Sequence, residues 1–260
     1  MISRIKFIVA SIIICLLIIN ESLAGQSTTK NQISENIEKI RTGATPAIQK
    51  QAIERLDKLT RKIKENDIDN EILNDFVELI DVSEGRTWVS TIFDNLGSHA
   101  TGVAPKLIPL LITKIRTSKT SNIRYLAIRQ IASLINNIKP ENINDEILTS
   151  LVELIDVPDA SFGAAGIVGT FGSRAESAIP KLLQLLITEE CRYKSRDGFL
   201  GMLDPKFPAI DGIRTSLKRI GAEPPLRELF TTTSCANLDV LKKQIIGEMY
   251  GNCEVNNCID

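Results

Sequence analysis

The sequence predicts an all-α fold, a solenoid of stacked helical hairpins, on three observations. Apolar residues make up 43% of the 260, yet aromatics only 5%, so Ile, Leu, Val and Ala must fill the core. That composition suits packed helices better than a β-sandwich, where aromatic strands usually contribute. The chain also says nearly the same thing twice: EILNDFVELIDV at 71–82 returns as EILTSLVELIDV at 146–157. Within each copy the apolar residues recur at helical spacing.

The opening stretch, MISRIKFIVASIIICLLIINESLAG, reads as an address. Arg4 and Lys6 precede an apolar run from Phe7 to Ile19, and Ser22, Leu23 and Ala24 end it on a small residue. This pattern predicts a signal peptide over residues 1–24, cut after Ala24. The apolar run is shorter than the roughly 18 to 20 residues a bilayer-spanning helix needs, so no stable membrane span is expected after cleavage. Cys15 follows Ile14, and a lipoprotein signal would need a small residue there. The mature chain is therefore expected in the periplasm or outside the cell. Residues 25–46 are expected to form an N-terminal cap, within which ISENIEKI (33–40) reads as a short helix.

The duplication has a register. Residues 63–113 lie over 138–188 without a gap, with Gly97-Ser98 on Gly172-Ser173 and Pro105-Lys106-Leu107 on Pro180-Lys181-Leu182. A repeat of this kind sets the architecture. Each 75-residue unit divides into four helical stripes. They are Leu73, Phe76, Val77 and Ile80; Val89, Ile92, Phe93 and Leu96; Leu107, Leu110, Leu111 and Ile115; and Ala127, Ile128, Ile131, Leu134 and Ile135. Gly97 is expected as a glycine C-cap with positive φ. One hairpin cannot bury its own apolar face, whereas stacked neighbours can.

LGSHATGVAPKLIPLLI (96–112) and FGSRAESAIPKLLQLLI (171–187) carry a glycine, spaced alanines, a proline and leucines in the same order. This order resembles the HEAT repeat, in the variety similar to phycobilisome-lyase repeats. IRYLAIRQIASL (123–134) resembles the second helix of that repeat, with Ala127 at its small position. The resemblance spans residues 47–229 and implies a right-handed α-α superhelix, a HEAT-like solenoid with atypical terminal caps. It also implies that Arg124 ties one repeat to the next. The segment Cys191–Pro208 interrupts the last repeat as an insertion, and residues 230–260 match no repeat, so they are expected to form a Cys-containing C-terminal cap.

Five cysteines are present, and cleavage would leave Cys191, Cys235, Cys253 and Cys258. An even count in an oxidising compartment points to disulfides, with three possible pairings. A bond from Cys191 to the tail would pin the cap to the last repeat. Zinc would want ligands at tighter spacing, and free buried thiols are the remaining reading. No metal or cofactor is expected.

No nucleophile elbow, phosphate loop, zinc-helix or dinucleotide fingerprint occurs. GAAGIVGTFG (163–172) is glycine-rich, but it aligns with the 85–97 helix, so its small residues are expected to let helices approach closely. His99, the sole histidine and the counterpart of Arg174, reads as a solvated connector residue; Trp88 reads as a packing residue. Net charge is −1, and charge alternates by block: seven basic residues in 106–139, then six acidic residues in 141–159. A nucleic-acid partner would want one continuous cationic track, so none is expected, and the blocks are expected to complement one another. Lys58, Arg129, Arg214 and Lys218 fall off the apolar stripes. On the inner surface that the resemblance implies, they would form a basic row facing an acidic segment of an unidentified protein partner. The expected function is a non-catalytic protein-binding or scaffolding solenoid. The alternative is an enzyme of lyase or hydrolase type with a site on the concave face.

Overall fold

The computed structural model describes residues 29–43, 45–82, 87–99, 102–194, 207–230 and 235–250. The expected signal peptide, most of the 191–208 insertion, and Cys253 and Cys258 lie outside them. Among the described residues all regular structure is helical, with no strand. The chain forms two compact units. The first runs to Leu110 and takes in Asn136–Ile138; the second holds Leu111–Ile135 and the chain from Lys139 onward.

In the first unit, α1 (29–42) buries Ile33, Ile37 and Ile40, a stripe at helical spacing. α2 (Pro46–Thr60) begins where Thr45 Oγ1 accepts a hydrogen bond from the Ile48 amide at 3.3 Å, with proline at the first turn. That arrangement satisfies a free helix N–H and places proline where no intrahelical donor is needed. After a 3-10 turn (Glu65–Asp67), Asp69 Oδ1 accepts from the Ile72 amide at 3.0 Å and starts α3 (Asn70–Val82). α3 buries Ile72, Leu73, Phe76, Val77, Leu79 and Ile80. Each such side chain contributes at most about 1.5 to 3 kcal/mol of hydrophobic stabilisation.

α4 (Thr87–His99) packs on α2. Asn95, 9% exposed, sits between them and donates from Nδ2 to Asp57 Oδ1 (2.9 Å) and Thr60 Oγ1 (3.2 Å). The buried amide therefore has partners, as buried polar groups must. α5 (Ala104–Thr117) opens in the first unit, and the boundary between units falls within it.

In the second unit, α6 (Ser121–Asn136) buries Leu126, Ala127, Ile128, Gln130, Ile131, Leu134 and Ile135. A 3-10 turn (Pro140–Asn142) leads to α7 (Asp145–Glu153), capped by Asn144 Oδ1 on the Ile147 amide at 2.8 Å. Another 3-10 turn (Leu154–Asp156), α8 (Ser161–Val168) and a longer 3-10 segment (Gly169–Ala178) follow. α9 (Ile179–Lys194), α10 (Phe207–Ile220), a 3-10 turn (Arg227–Leu229) and α11 (Leu238–Tyr250) complete the described chain.

The duplication is visible in where elements begin. Pro46, Glu65, Asn70 and Ala104 open elements whose counterparts open at Ser121, Pro140, Asp145 and Ile179, each 75 positions later. Leu79 and Leu154 are both 0% exposed, so the shared register carries a shared core.

The Gly97 cap expectation is corrected. Gly97 lies inside α4 without positive φ, and a Cβ there would meet Asn137 Nδ2 at 3.1 Å. Close approach therefore accounts for this glycine. Its counterpart Gly172 does take positive φ (56°), and there the helix breaks. The reading of GAAGIVGTFG holds at two positions. A Cβ on Gly163 would lie 2.7 Å from Ile128 Cγ1, and one on Gly169 would lie 2.4 Å from Ser216 Oγ, so α8 approaches α6 closely and the start of the 3-10 segment after it approaches α10 closely.

A disulfide joins Cys191 of α9 to Cys235, 44 residues on. It borders a cluster of Ile187, Cys191, Phe230, Leu241 and Ile245, in which α11 packs on α9. Closing a loop of that length contributes about 4 kcal/mol in the chain-entropy model.

Candidate functional site

Many charged side chains of the described residues pair with one another or with backbone carbonyls. In the second unit, Arg124 donates from Nε to Pro158 O (3.1 Å), from Nη1 to Ser118 O (2.9 Å) and from Nη2 to Asp159 Oδ2 (2.6 Å). Arg116 pairs with Glu153 and Lys181 with Asp156. Basic and acidic blocks thus meet, through exposed pairs that contribute only about 0 to 1 kcal/mol each. Arg174, the counterpart of His99, donates to Pro140 O, Ile143 O and Asp145 Oδ1, each at 2.7 Å. Three acceptors on the start of α7 and the turn before it make this arginine a clamp, which residue spacing alone did not reveal. The side chain of His99 lies outside the described residues. Trp88 is half-buried in α4, with Nε1 shielded and without an acceptor.

The four candidate cations behave differently. Lys58 on α2 is exposed, as are Arg129 on α6 and Lys218 on α10. The Arg129 guanidinium lies 5.9 Å from the centroid of the Tyr125 ring one turn away, and that tyrosine is itself 50% exposed. Arg214 was expected to stand free and does not. Its Nε and Nη2 bond Glu190 Oε1 at 3.0 and 2.8 Å, and its Nη1 bonds Pro225 O at 2.7 Å. Glu190 is 2% exposed, so Arg214 compensates a carboxylate that burial would otherwise penalise heavily. Arg227 adds a longer contact to Glu190 and also pairs with Asp211. Reversing the charge of Arg214 would therefore unsettle the α9–α10 packing.

Lys58 also lines a cleft of about 410 Å³ in the first unit, with Gln32, Glu35, Asn36, Arg55 and Leu59. Residues 32, 35 and 36 share a face of α1, and 55, 58 and 59 share a face of α2, because three- and four-residue spacing aligns side chains along a helix. Glu35 is held by Lys39. That hydrogen bond, reinforced by the charges of Lys39 and Arg55, holds the Glu35 carboxyl below its ordinary range. Asn36 is 5% exposed; its Nδ2 donates to Gln32 O at 2.6 Å, while its buried Oδ1 has no partner. Neighbouring Lys30 bridges to Asp69 and Glu71, and Arg41 to Asp75 and Glu78. Arg55 and Lys58 have no carboxylate at ion-pair distance among the described residues.

Among the described residues no cluster of His, Cys, Asp and Glu could hold a metal ion, and no helix is long and apolar enough to cross a membrane. Compared with family models, curated proteins and solved structures, the chain matches none.

Proposed function

We propose that the chain is a non-catalytic extracytoplasmic protein of HEAT-like repeats, a solenoid that binds or scaffolds other proteins. One observation carries the reading: a helical unit recurs with its ion pairs engaged in packing, while Lys58, Arg129 and Lys218 stand exposed without carboxylate partners among the described residues. Repeat stacks present extended surfaces to partners, and unpaired cations on such a surface favour an acidic segment. The Cys191–Cys235 bond fits an oxidising compartment.

Two measurements test this reading. The exported protein should begin at Gly25 by intact mass; a retained Met1 would contradict the export assignment. The immobilised chain should retain a protein from its own compartment that elutes with salt, as screened attraction requires. Arg129→Glu with Lys218→Glu should weaken that retention while leaving the melting temperature nearly unchanged. Retention of nothing would overturn the binding reading, and equal retention by the variant would remove Arg129 and Lys218 from it.

A further inference from the structure

We propose that the Cys191–Cys235 bond is a redox-set latch: with the bond closed α11 lies on α9, and with it open α11 comes away while the rest of the second unit keeps its packing. The register shows what the bond replaces. Cys191 stands 75 residues after Arg116, at the place in α9 that Arg116 holds in α5. Arg116 ties α5 to α7 by pairing with Glu153. From α9 the tie is covalent and runs to Cys235, just before α11. An exposed ion pair shifts its equilibrium about fivefold at most, whereas closing a loop of 44 residues shifts folding about a thousandfold in the chain-entropy model. Only the second of these ties can be cut by electron transfer.

Without the bond, little holds α11. It buries Leu241, Ile245 and Ile246, and among the described residues it packs chiefly on α9. A helix of 13 residues is marginal by itself, so α11 depends on that one face. The chain before the bond is anchored separately: Arg227 pairs with Asp211, and Phe230 is 1% exposed. α10 is held to α9 by Arg214 on Glu190. Opening the bond therefore frees α11 and spares its neighbours, baring Ile187, Cys191 and Phe230 as an apolar surface. Cys191 is buried in that cluster and Cys235 is half-buried at its edge, so exchange begins at Cys235. A thiolate of a dithiol reductant bonds Cys235 Sγ, the Sγ–Sγ bond breaks, and Cys191 leaves as a thiolate that takes up a proton. The second thiol of the reductant then displaces Cys235 as a thiol, and the reductant ends as a disulfide, two electrons poorer. Closing runs the same exchange backward, with a disulfide oxidant that ends as a dithiol. The timing of closure rests on the export reading: the bond stays open in a reducing cytoplasm and closes in an oxidising compartment.

The test uses the full-length chain with Cys15→Ser, Cys253→Ser and Cys258→Ser, which keeps only the two latch cysteines. Its amide exchange is read by mass spectrometry, oxidised and after dithiothreitol. Reduction should speed exchange across α11 at least about tenfold and leave α8 and α10 within about twofold, the mark of a local opening. Adding Cys191→Ser with Cys235→Ser should give the reduced pattern without reductant, and oxidised glutathione should restore slow exchange in the chain that keeps both cysteines. Unchanged exchange in α11, a uniform rise across the second unit, or a bond that stays closed under dithiothreitol at neutral pH would each overturn the proposal. The export reading fails separately: a retained Met1 beside a selective rise in α11 would remove the timing and leave the latch.

Discussion

Residues 87–99 and 162–174 are the two copies of one repeated stretch, yet the first is an unbroken helix and the second is α-helical only to Val168, with a 3-10 segment from Gly169. The paths part where Asp94 of the first copy is replaced by Gly169; the substitutions before it lie in a stretch that is helical in both copies. Trp88, Val89, Ser90 and Thr91 of the first copy are replaced by Gly163, Ala164, Ala165 and Gly166 in the second, and Asp94 by Gly169. The first copy stays helical to His99 and fixes itself through Asn95. The second loses side chains where Ile128 and Ser216 come close, and Gly172 then turns the chain through a backbone conformation other residues resist. A duplication therefore preserves where elements begin and which residues fill the core. The path between helices is set by what each copy packs against.

The shared core should respond alike in both copies. Leu79→Ala and Leu154→Ala each remove a side chain with 0% exposure, and each should cost about 2 to 5 kcal/mol in chemical denaturation. A silent substitution in either copy would break the equivalence. The glycines should respond differently. Gly172→Ala should cost about 1 to 3 kcal/mol because its φ of 56° is unfavourable for a side chain. Gly97→Ala should change stability by less than about 1 kcal/mol, because the helix preference of alanine offsets a contact with the Asn137 side chain at 3.1 Å. Equal costs would show that the kink is not a glycine effect.

The smallest effect concerns the caps of α3 and α7. Asp69 and Asn144 occupy equivalent positions and each accept from the amide three residues on. Only Asp69 titrates; the hydrogen bond from Lys30, then that from the Ile72 amide, hold its carboxyl below its ordinary range. A carboxyl depressed in the folded state contributes stability that is present above its unfolded pKa and lost as pH falls through the folded one. Acid below about pH 4 should thus loosen the start of α3 more than that of α7. Asp69→Asn should remove that difference, as read by amide exchange across an acid series.

The helical class, the 75-residue register and the buried stripes were legible in the sequence because apolar spacing and self-similarity are properties of the chain itself. So was the packing role of Gly163 and Gly169. Gly97 was misread because a glycine near a helix end serves positive φ or close approach equally well, and only the position of Asn137 decides between them. Arg214 was misread for a related reason. It lies off the apolar stripe, but the buried Glu190 it answers is 24 residues away on another helix. The cleft was legible only through Lys58, because its other wall belongs to α1, outside the repeat.

Hydrogen exchange read by mass spectrometry on the unmodified protein tests the shared-register claim most directly. Protected segments should begin near 46, 70 and 104 and again 75 residues later, with residues 169–178 exchanging faster than 94–98. Protection that lacks this offset, or that runs through Gly172 as steadily as through Gly97, would contradict the claim that one duplicated core follows two different paths.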